Sequence, residues 1–384
     1  MAPLRSHWLM LGVLSVAVAA SGCSKDKPLK PLPTQRRIYV GGIDYSQAGP
    51  ARSEMFMLDA DSLLVTDSFP LPAPSVDAIT SADGISLYVV TSNDLGTRTI
   101  WKYNLASRSP LWHIDLERWP ETPDSRGRIR MFDGGRWLQL NRTIASAVTG
   151  EIVNVLPDSL VPFGGTPSGT HCAVGVIAPG DKYPVTLRGF DLASDSSWGQ
   201  YTPHLQSGSP FGITYTAILL GDSRRVLVIG IQGMIDNAWF VIGDLITGET
   251  ILQESLIYPF GEILVSPDET KAVASDPSMT LIYDSWPTLD LFDLTVPSHL
   301  KRLSWDPHLP GHPEQLVLPG QLCWIPQTNE IVAAAPGDFN SSGPMAVIDA
   351  TEFAIRGFFQ LPGKSEQFEY GIGGMAVGEY TPAR

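Results

Sequence analysis

The sequence has few of the residues that usually carry out chemistry at an active site. Its 384 residues include three cysteines and seven histidines. It contains no Gly-x-Ser-x-Gly, His-Glu-x-x-His or Cys-x-x-Cys pattern and no phosphate-binding glycine loop. These absences argue against a nucleophile-elbow hydrolase, a zincin-type protease, a thiol redox protein and a P-loop nucleotidase. We expect no cofactor. The sequence favours a non-enzymatic protein but leaves the question of enzymatic activity open.

Basic residues are also in the minority. The chain has 26 Lys and Arg against 40 Asp and Glu, for a formal net charge of −14. Nucleic acids require a basic face, so a nucleic-acid partner is not expected. The charged fraction of 17% and the hydrophobic fraction of 43% are typical of a folded globular chain.

The apolar run at the N terminus is too short for a permanent transmembrane helix. It covers residues 8–20, which is 13 residues, whereas a membrane span needs about 20. The run ends in Ala20-Ser21-Gly22-Cys23, which resembles the bacterial lipobox. We therefore expect residues 1–22 to be a lipoprotein signal peptide and Cys23 to receive the lipid. The alternative is an ordinary signal peptide with an incidental cysteine.

The segment after the cysteine is predicted to be a tether. Residues 23–35 alternate proline with lysine and other polar residues, which favours an extended spacer. The resemblance to Gram-negative lipoproteins implies an outer-membrane location, because Ser24 follows Cys23. The expected partners are thus the membrane, through the lipid anchor, and a protein or polymer of the cell envelope.

The remainder, residues 36–384, repeats one short pattern seven times. An apolar run ends in an acidic or small polar residue, and a Thr or Ser follows two or three positions later, often with Gly next. Asp and Ser/Thr bend a chain by bonding their own backbone. The pattern therefore indicates a strand, a tight turn and another strand. The seven marker residues are Asp59, Asn104, Ser146, Asp191, Asp244, Asp293 and Asp349.

Successive markers are separated by 45, 42, 45, 53, 49 and 56 residues, which is the period of a propeller blade. Other turns, such as Ser81-Ala82-Asp83-Gly84 and Ser266-Pro267-Asp268, interrupt apolar runs and predict hairpins. Together with the strand Leu87-Tyr88-Val89-Val90-Thr91, these turns resemble the bacterial YVTN-type propellers, which are related in shape to WD40 proteins. The resemblance implies an all-β, seven-bladed propeller.

The two ends of the repeat region are predicted to complete one blade together. Residues 373–382 have the pattern of an inner strand that reaches its turn, and residues 37–42 have that of the strand expected next. Pairing them would remove the open edge of the ring.

Several residues are candidates for a functional site. Alignment of the blades on their first turn places Asp77, Thr216, Glu262 and Gln321 at one register near the start of inner strands, where they could coordinate a cation or polar ligand. The alternative is a set of solvated rim residues. His308 and His312 flank Leu309-Pro310-Gly311 and are weak metal candidates in a proline-rich loop. Cys172 and Cys323 fall in separate blades, which predicts two buried thiols and no disulfide.

Two functions remain open at this point. The favoured hypothesis is a membrane-anchored propeller lipoprotein of the cell envelope that serves as a non-enzymatic binding or scaffold module. The alternative is a propeller enzyme with its site at the channel mouth. The propeller fold implies a lactonase or a quinoprotein-dehydrogenase subunit as the nearest enzymes.

Overall fold

The structure is a computed structural model. The structure describes residues 35–44, 52–81, 83–93, 97–116, 128–177, 186–191, 194–204, 213–231, 238–256, 262–276, 286–326, 328–334, 344–361 and 370–380. These residues form seven four-stranded antiparallel sheets and one two-stranded hairpin. Among them there is no helix with the length and apolar character needed to cross a membrane. The seven-bladed propeller predicted from the repeat is confirmed.

The blades are numbered in chain order. Blade 1 contains β1 (Gln35–Asp44), β2 (Arg52–Asp59), β3 (Val65–Leu71) and the last strand of the chain, β30 (Tyr370–Tyr380). Blade 2 contains β4 (Ser75–Thr80), β5 (Ser86–Ser92), β6 (Arg98–Asn104) and β7 (Ser109–Leu116). Blade 3 contains β8 (Ile129–Phe132), β9 (Trp137–Leu140), β10 (Thr143–Ser146) and β11 (Ile152–Val155). Blade 4 contains β12 (Leu160–Gly164), β13 (His171–Val176), β14 (Thr186–Asp191) and β15 (Ser196–Tyr201).

The second half of the ring follows the same order. Blade 5 contains β16 (Ile213–Leu219), β17 (Arg225–Ile231), β18 (Ala238–Asp244) and β19 (Thr250–Leu256). Blade 6 contains β20 (Ile263–Val265), β21 (Lys271–Asp276), β22 (Thr288–Asp293) and β23 (Ser298–Ser304). The extra hairpin consists of β24 (His308–Leu309) and β25 (His312–Leu316). Blade 7 contains β26 (Gln321–Ile325), β27 (Glu330–Ala334), β28 (Pro344–Asp349) and β29 (Ala354–Gln360).

The second strand of a blade is buried on both of its faces. On β5, Leu87 and Val89 join an apolar cluster with blade 1, whereas Tyr88 and Val90 join a cluster with blade 3. This division follows from the alternation of side chains along a strand. Strands buried on both faces read as continuous apolar runs, which is why β5 shows no polar alternation. Seven such clusters fill the seven spaces between neighbouring blades.

Each marker residue is the last residue of the third strand of its blade. Its side chain holds the following turn. The Asp59 carboxylate accepts the backbone N–H of Asp61 and Ser62 at 3.2 and 2.9 Å, and the Ser62 hydroxyl at 2.9 Å. These hydrogen bonds lower the pKa of Asp59, and the bond from the Ser62 backbone N–H has the largest effect. The repeated pattern is therefore a turn that the strand end itself stabilises.

The one-residue slip of the Thr position in two repeats has a simple cause. Asp293 also accepts the backbone N–H groups two and three positions later, from Thr295 at 2.7 Å and Val296 at 3.0 Å. Here the hydroxyl bond comes from Thr295, two positions later. The carboxylate geometry is thus the same in both kinds of turn. The hydroxyl residue can occupy either of two positions.

The two ends of the described chain close blade 1, as predicted. β1 pairs antiparallel with β30, so that Ile38 is opposite Val377 and Val40 is opposite Met375. Met375 and Ala376 are buried against the neighbouring blades. The two cysteines also lie as predicted. Both are free and buried, and burial raises the pKa of each thiol to about 12.

Removal of residues 373–384 should destroy the fold. The truncation strips β1 of its inner partner and leaves two interblade clusters without Met375 and Ala376. Complete burial of such an apolar side chain contributes about 1.5–3 kcal/mol, and a domain has only about 5–15 kcal/mol in reserve. We expect a cooperative melting transition to be lost. The control is deletion of residues 24–34, which should leave the melting curve unchanged. A C-terminal truncation that melts like its parent would contradict closure through β30.

Candidate functional site

The four predicted channel-mouth residues lie in four different blades. Asp77 is in β4 and Thr216 is in β16, Glu262 immediately precedes β20, and Gln321 is the first residue of β26. All four therefore lie on, or immediately before, the innermost strand of a blade, which is the strand that faces the central channel. Glu262 forms an ion pair with Arg128, Asp77 accepts the backbone N–H of the residue after Arg128, and Gln321 lies in the backbone segment that Arg128 and Glu262 contact. The fourth, Thr216, is buried in blade 5, and no hydrogen bond or ion pair joins it to the other three among the described residues.

The network is organised by Arg128, a residue that the sequence analysis did not select. Arg128 precedes β8 of blade 3, and its guanidinium forms an ion pair with Glu262 of blade 6. It also donates a hydrogen bond to the backbone carbonyl of Gly320, before blade 7, at 3.3 Å. Blades 3 and 6 are not neighbours in the ring, so this ion pair crosses the channel. Both charged side chains are about nine-tenths buried.

Glu262 is engaged at both carboxylate oxygens. Oε1 accepts the bond from Arg128, and Oε2 accepts the backbone N–H of Leu322 at 2.7 Å. The backbone N–H of Glu262 donates to the Ser275 hydroxyl at 2.7 Å. Gln321 lies between Gly320, which Arg128 contacts, and Leu322, which Glu262 contacts. The start of β26 is therefore held from two sides by the ion pair.

Asp77 connects blade 2 with blade 3 at the same end of the channel. Its Oδ2 accepts the backbone N–H of Ile129 at 2.7 Å, and its Oδ1 accepts that of Ala78 at 2.9 Å. Burial raises the pKa of Asp77 to about 6, and the charge of Glu262 adds to the rise, although Arg128 and Arg130 oppose it. Asp77 keeps some accessible surface, but the surrounding channel wall removes much of the water that would stabilise its charge.

The arrangement uses its polar groups to connect blades. Arg128, Glu262 and Asp77 together link blades 2, 3, 6 and 7. A carboxylate that pairs with a guanidinium and accepts a backbone N–H has little free capacity to bind a cation. Among the residues that the structure describes, no group of three or more His, Cys, Asp or Glu side chains is arranged to hold a metal ion. Glu262 and Asp77 at this mouth are thus engaged in contacts between blades.

Arg128 could have been found from the sequence. It stands immediately before the strand that leads to the turn at Asp133-Gly134-Gly135, which has a looser form of the first-turn pattern. Extending the register alignment to this blade places Arg128 one residue after the position aligned with Asp77 and Glu262. Its partner could not have been deduced, because the pair is separated by 134 residues and lies across the ring.

The segment with two histidines is not the loop that was expected. His308 and His312 begin the two strands of the hairpin β24–β25, which turns at Gly311. The turn places a glycine in the left-handed region, with φ of +83°, where only glycine is free of strain. The His308 ring nitrogen Nδ1 lies 2.8 Å from Asp306 Oδ1. The preceding Trp305 is buried and donates its indole N–H to the Val317 carbonyl at 3.0 Å. The predicted lipidation residue, Cys23, lies outside the described residues.

Comparison with known proteins supports the fold and does not extend beyond it. No protein-family description and no curated protein matches the sequence. A solved protein of unknown function from Desulfotomaculum acetoxidans is similar in structure, with a TM-score of 0.57 and 14% identity over 90% of this chain and 100% of the other. A putative 6-phosphogluconolactonase from Bacteroides fragilis gives a TM-score of 0.52 and 12% identity, covering 89% and 98% of the two chains. The WD40 repeats of RRP9 give 0.52 and 13%, covering 80% and 84%.

Replacing Arg128 should destabilise the propeller more than replacing an exposed arginine. In Arg128→Met, Glu262 keeps a buried charge without its cationic partner, and removing one partner of a buried pair costs about 3–5 kcal/mol. The double variant Arg128→Met with Glu262→Gln should recover part of this loss. Arg136→Met is the control, because Arg136 is largely exposed and should cost less than about 1 kcal/mol. Urea unfolding measures all three. A single-variant loss as small as that of the control would contradict the buried cross-channel pair.

Asp77 should make folding less favourable as the pH rises. Its folded pKa of about 6 exceeds the usual 3.8, so the folded state binds the proton more tightly than the unfolded state does. The favourable contribution is complete below about pH 4 and is lost as the pH passes 6. The free energy of unfolding of Asp77→Asn, relative to that of the wild type, should therefore increase between pH 4 and 7. Urea unfolding at several pH values measures this difference, and parallel profiles would contradict the raised pKa.

Proposed function

We propose that this chain is a lipid-anchored lipoprotein of the bacterial cell envelope whose propeller binds a protein or polymer partner as a scaffold. The observation that carries the non-catalytic part is the network at the channel mouth. Arg128 and backbone N–H groups engage the carboxylates of Glu262 and Asp77, so the groups that an enzyme would use there hold the blades together. The outer strands and loops then supply the binding surface, as propellers commonly do.

The membrane part of the proposal rests on the N-terminal sequence. An apolar run of 13 residues precedes Ala20-Ser21-Gly22-Cys23, and a proline- and lysine-rich tether follows. Acyl chains on Cys23 would hold the protein at the membrane, since each buried CH₂ contributes about 0.8 kcal/mol and two or more chains anchor stably. Ser24 after the cysteine favours the outer membrane.

A lactonase-like or quinoprotein-dehydrogenase-subunit enzyme is the second candidate. One feature favours it: burial at the channel mouth raises the pKa of Asp77 to about 6, a value suited to a general base at neutral pH. A putative 6-phosphogluconolactonase also shares the fold. Against it, both Asp77 oxygens already accept backbone hydrogen bonds.

The proposal is tested with the full chain in a Gram-negative host. The wild type should fractionate with membranes and incorporate labelled palmitate, whereas Cys23→Ala should remain uncleaved or leave the membrane. Mild detergent extraction of the wild type should yield a stoichiometric partner. A mutant that matures and fractionates like the wild type contradicts the anchor. Hydrolysis of 6-phosphogluconolactone by the purified protein, if lost in Asp77→Asn, would favour the enzyme instead.

A further inference from the structure

The outer strand of blade 3 differs from the other outer strands of the ring. β11 has the sequence Ile152-Val153-Asn154-Val155 and carries no charge. Five outer strands contain charged residues, a common protection against unwanted pairing at a sheet edge. These residues are Asp67 on β3, Asp115 on β7, Glu254 on β19, Lys301 and Arg302 on β23, and Arg356 on β29. The remaining strand, β15, is uncharged, but its exposed residues are serine, glycine and glutamine.

β11 is also the centre of an exposed apolar surface. Ile152, Val153 and Val155 are 45%, 48% and 58% exposed. Val148, in the turn that leads into β11, is 70% exposed. The surface continues to blade 2, because Trp112 donates its indole N–H to the Val148 carbonyl at 3.0 Å and lies next to the exposed Leu111. Isolated exposed aliphatic residues are ordinary, whereas a contiguous group on one strand marks an interaction surface.

The backbone of β11 offers hydrogen-bonding groups to a further strand. Leu156 N–H donates to the Arg142 carbonyl at 2.9 Å, and the next pair along the ladder is Thr143 with Val155. Hydrogen-bonded and non-bonded pairs alternate in antiparallel sheets. The N–H and C=O groups of Val155 therefore point away from β10, toward the open edge. An extended peptide can pair with such an edge and place alternate side chains on the apolar surface.

Charges around β11 define the partner further. Glu151 precedes the strand and is exposed, and Asp195 of blade 4 lies beside it, where it accepts a hydrogen bond from the Asn154 side chain at 3.2 Å. Neither carboxylate forms an ion pair among the described residues. Asp158, beyond the other end, is paired with Arg142. A second copy of this chain would bring further carboxylates to the same place, so like charges oppose self-pairing.

We infer that β11 is a docking strand for an extended segment of a partner protein that has aliphatic residues at alternate positions and a basic residue where it meets Glu151 and Asp195. The segment adds a fifth strand to blade 3. This inference rests on the proposed binding function and names the chemistry of the partner. It holds whether or not Cys23 carries a lipid and whether or not the propeller is also an enzyme.

The test uses the purified chain from residue 24 onward and a fluorescent peptide, Arg-Val-Thr-Val-Thr-Val-Arg. Binding is followed by fluorescence anisotropy. The peptide should bind the wild type, and the copy with Glu at both ends should bind at least tenfold more weakly. Val155→Pro removes the outward N–H without breaking a bond to β10 and should weaken binding about tenfold or more. Val155→Thr keeps the N–H and the β-branched shape, and it should bind like the wild type.

Further measurements guard against a variant that fails to fold. Alternate backbone N–H groups of a strand point to opposite edges. One peptide is therefore N-methylated at the odd positions and the other at the even positions, so that each keeps its side chains but loses the N–H donors along one edge. One of the two should lose binding to the wild type. Absence of peptide binding, or binding that a well-folded Val155→Pro retains, would overturn the inference even if a partner copurifies from membranes. Sedimentation that shows a dimer dissociated by Val155→Pro would instead assign the edge to a second copy, which also overturns it.

Discussion

The whole structure depends on a requirement that each sheet be covered on both faces. Each inner pair of strands is apolar on both sides, as the two clusters served by β5 show. A sheet of this kind cannot be stable alone or at the end of a row, because one apolar face would meet water. A ring gives every blade two neighbours. The pairing of β1 with β30 makes the row into a ring, so a strand of 11 residues supports the burial of the six other blades.

The polar network at the channel mouth is a second consequence of this geometry. The inner strands converge there, and their first residues come from parts of the chain that are far apart in sequence. Arg128 and Glu262 neutralise each other across the channel, while the backbone N–H of Leu322 bonds the second oxygen of Glu262. Replacement of a buried pair by apolar residues would often be neutral for stability. A charged pair, however, fixes which blades face each other, since a shifted ring would leave a buried charge without its partner.

Local chemistry explains what the sequence analysis predicted correctly. The turns after Asp59 and Asp293 are held by their own side chains, so their repetition revealed strand ends and blade number without knowledge of the tertiary structure. The contacts at the channel mouth were not predicted from the sequence, which gave only the shared register of four residues, Thr216 among them. Asp77, Glu262 and Gln321 share a register, which sequence alignment can detect, but the function of Arg128 depends on a contact across the ring. The His308 hairpin was missed because two short strands in a proline-containing segment produce no periodic signal.

The marker turns also contain a residue with positive φ that the sequence does not always reveal as a glycine. Gly150 and Gly248 occupy the position four residues after the marker with φ of +76° and +74°, which agrees with the expected glycine. Leu63 and Phe353 occupy the same position in their own blades with φ of +59° and +53°, although branched and bulky residues are disfavoured there. Packing compensates for this conformation, since Phe353 is buried among the residues between blades 6 and 7. Tertiary contacts thus allow the repeat to degenerate in sequence while its geometry is retained.

The closing blade has a mechanical consequence. The described chain enters the propeller at Gln35, the first residue of β1, and β1 lies between β2 and β30 and not at the edge of its sheet. A force that arrives along the N-terminal segment is therefore shared by two ladders of hydrogen bonds. If β1 stood at an open edge, the same pull would peel away a single ladder from one end. A propeller suspended from its N terminus is thus held by one of its most firmly embedded strands.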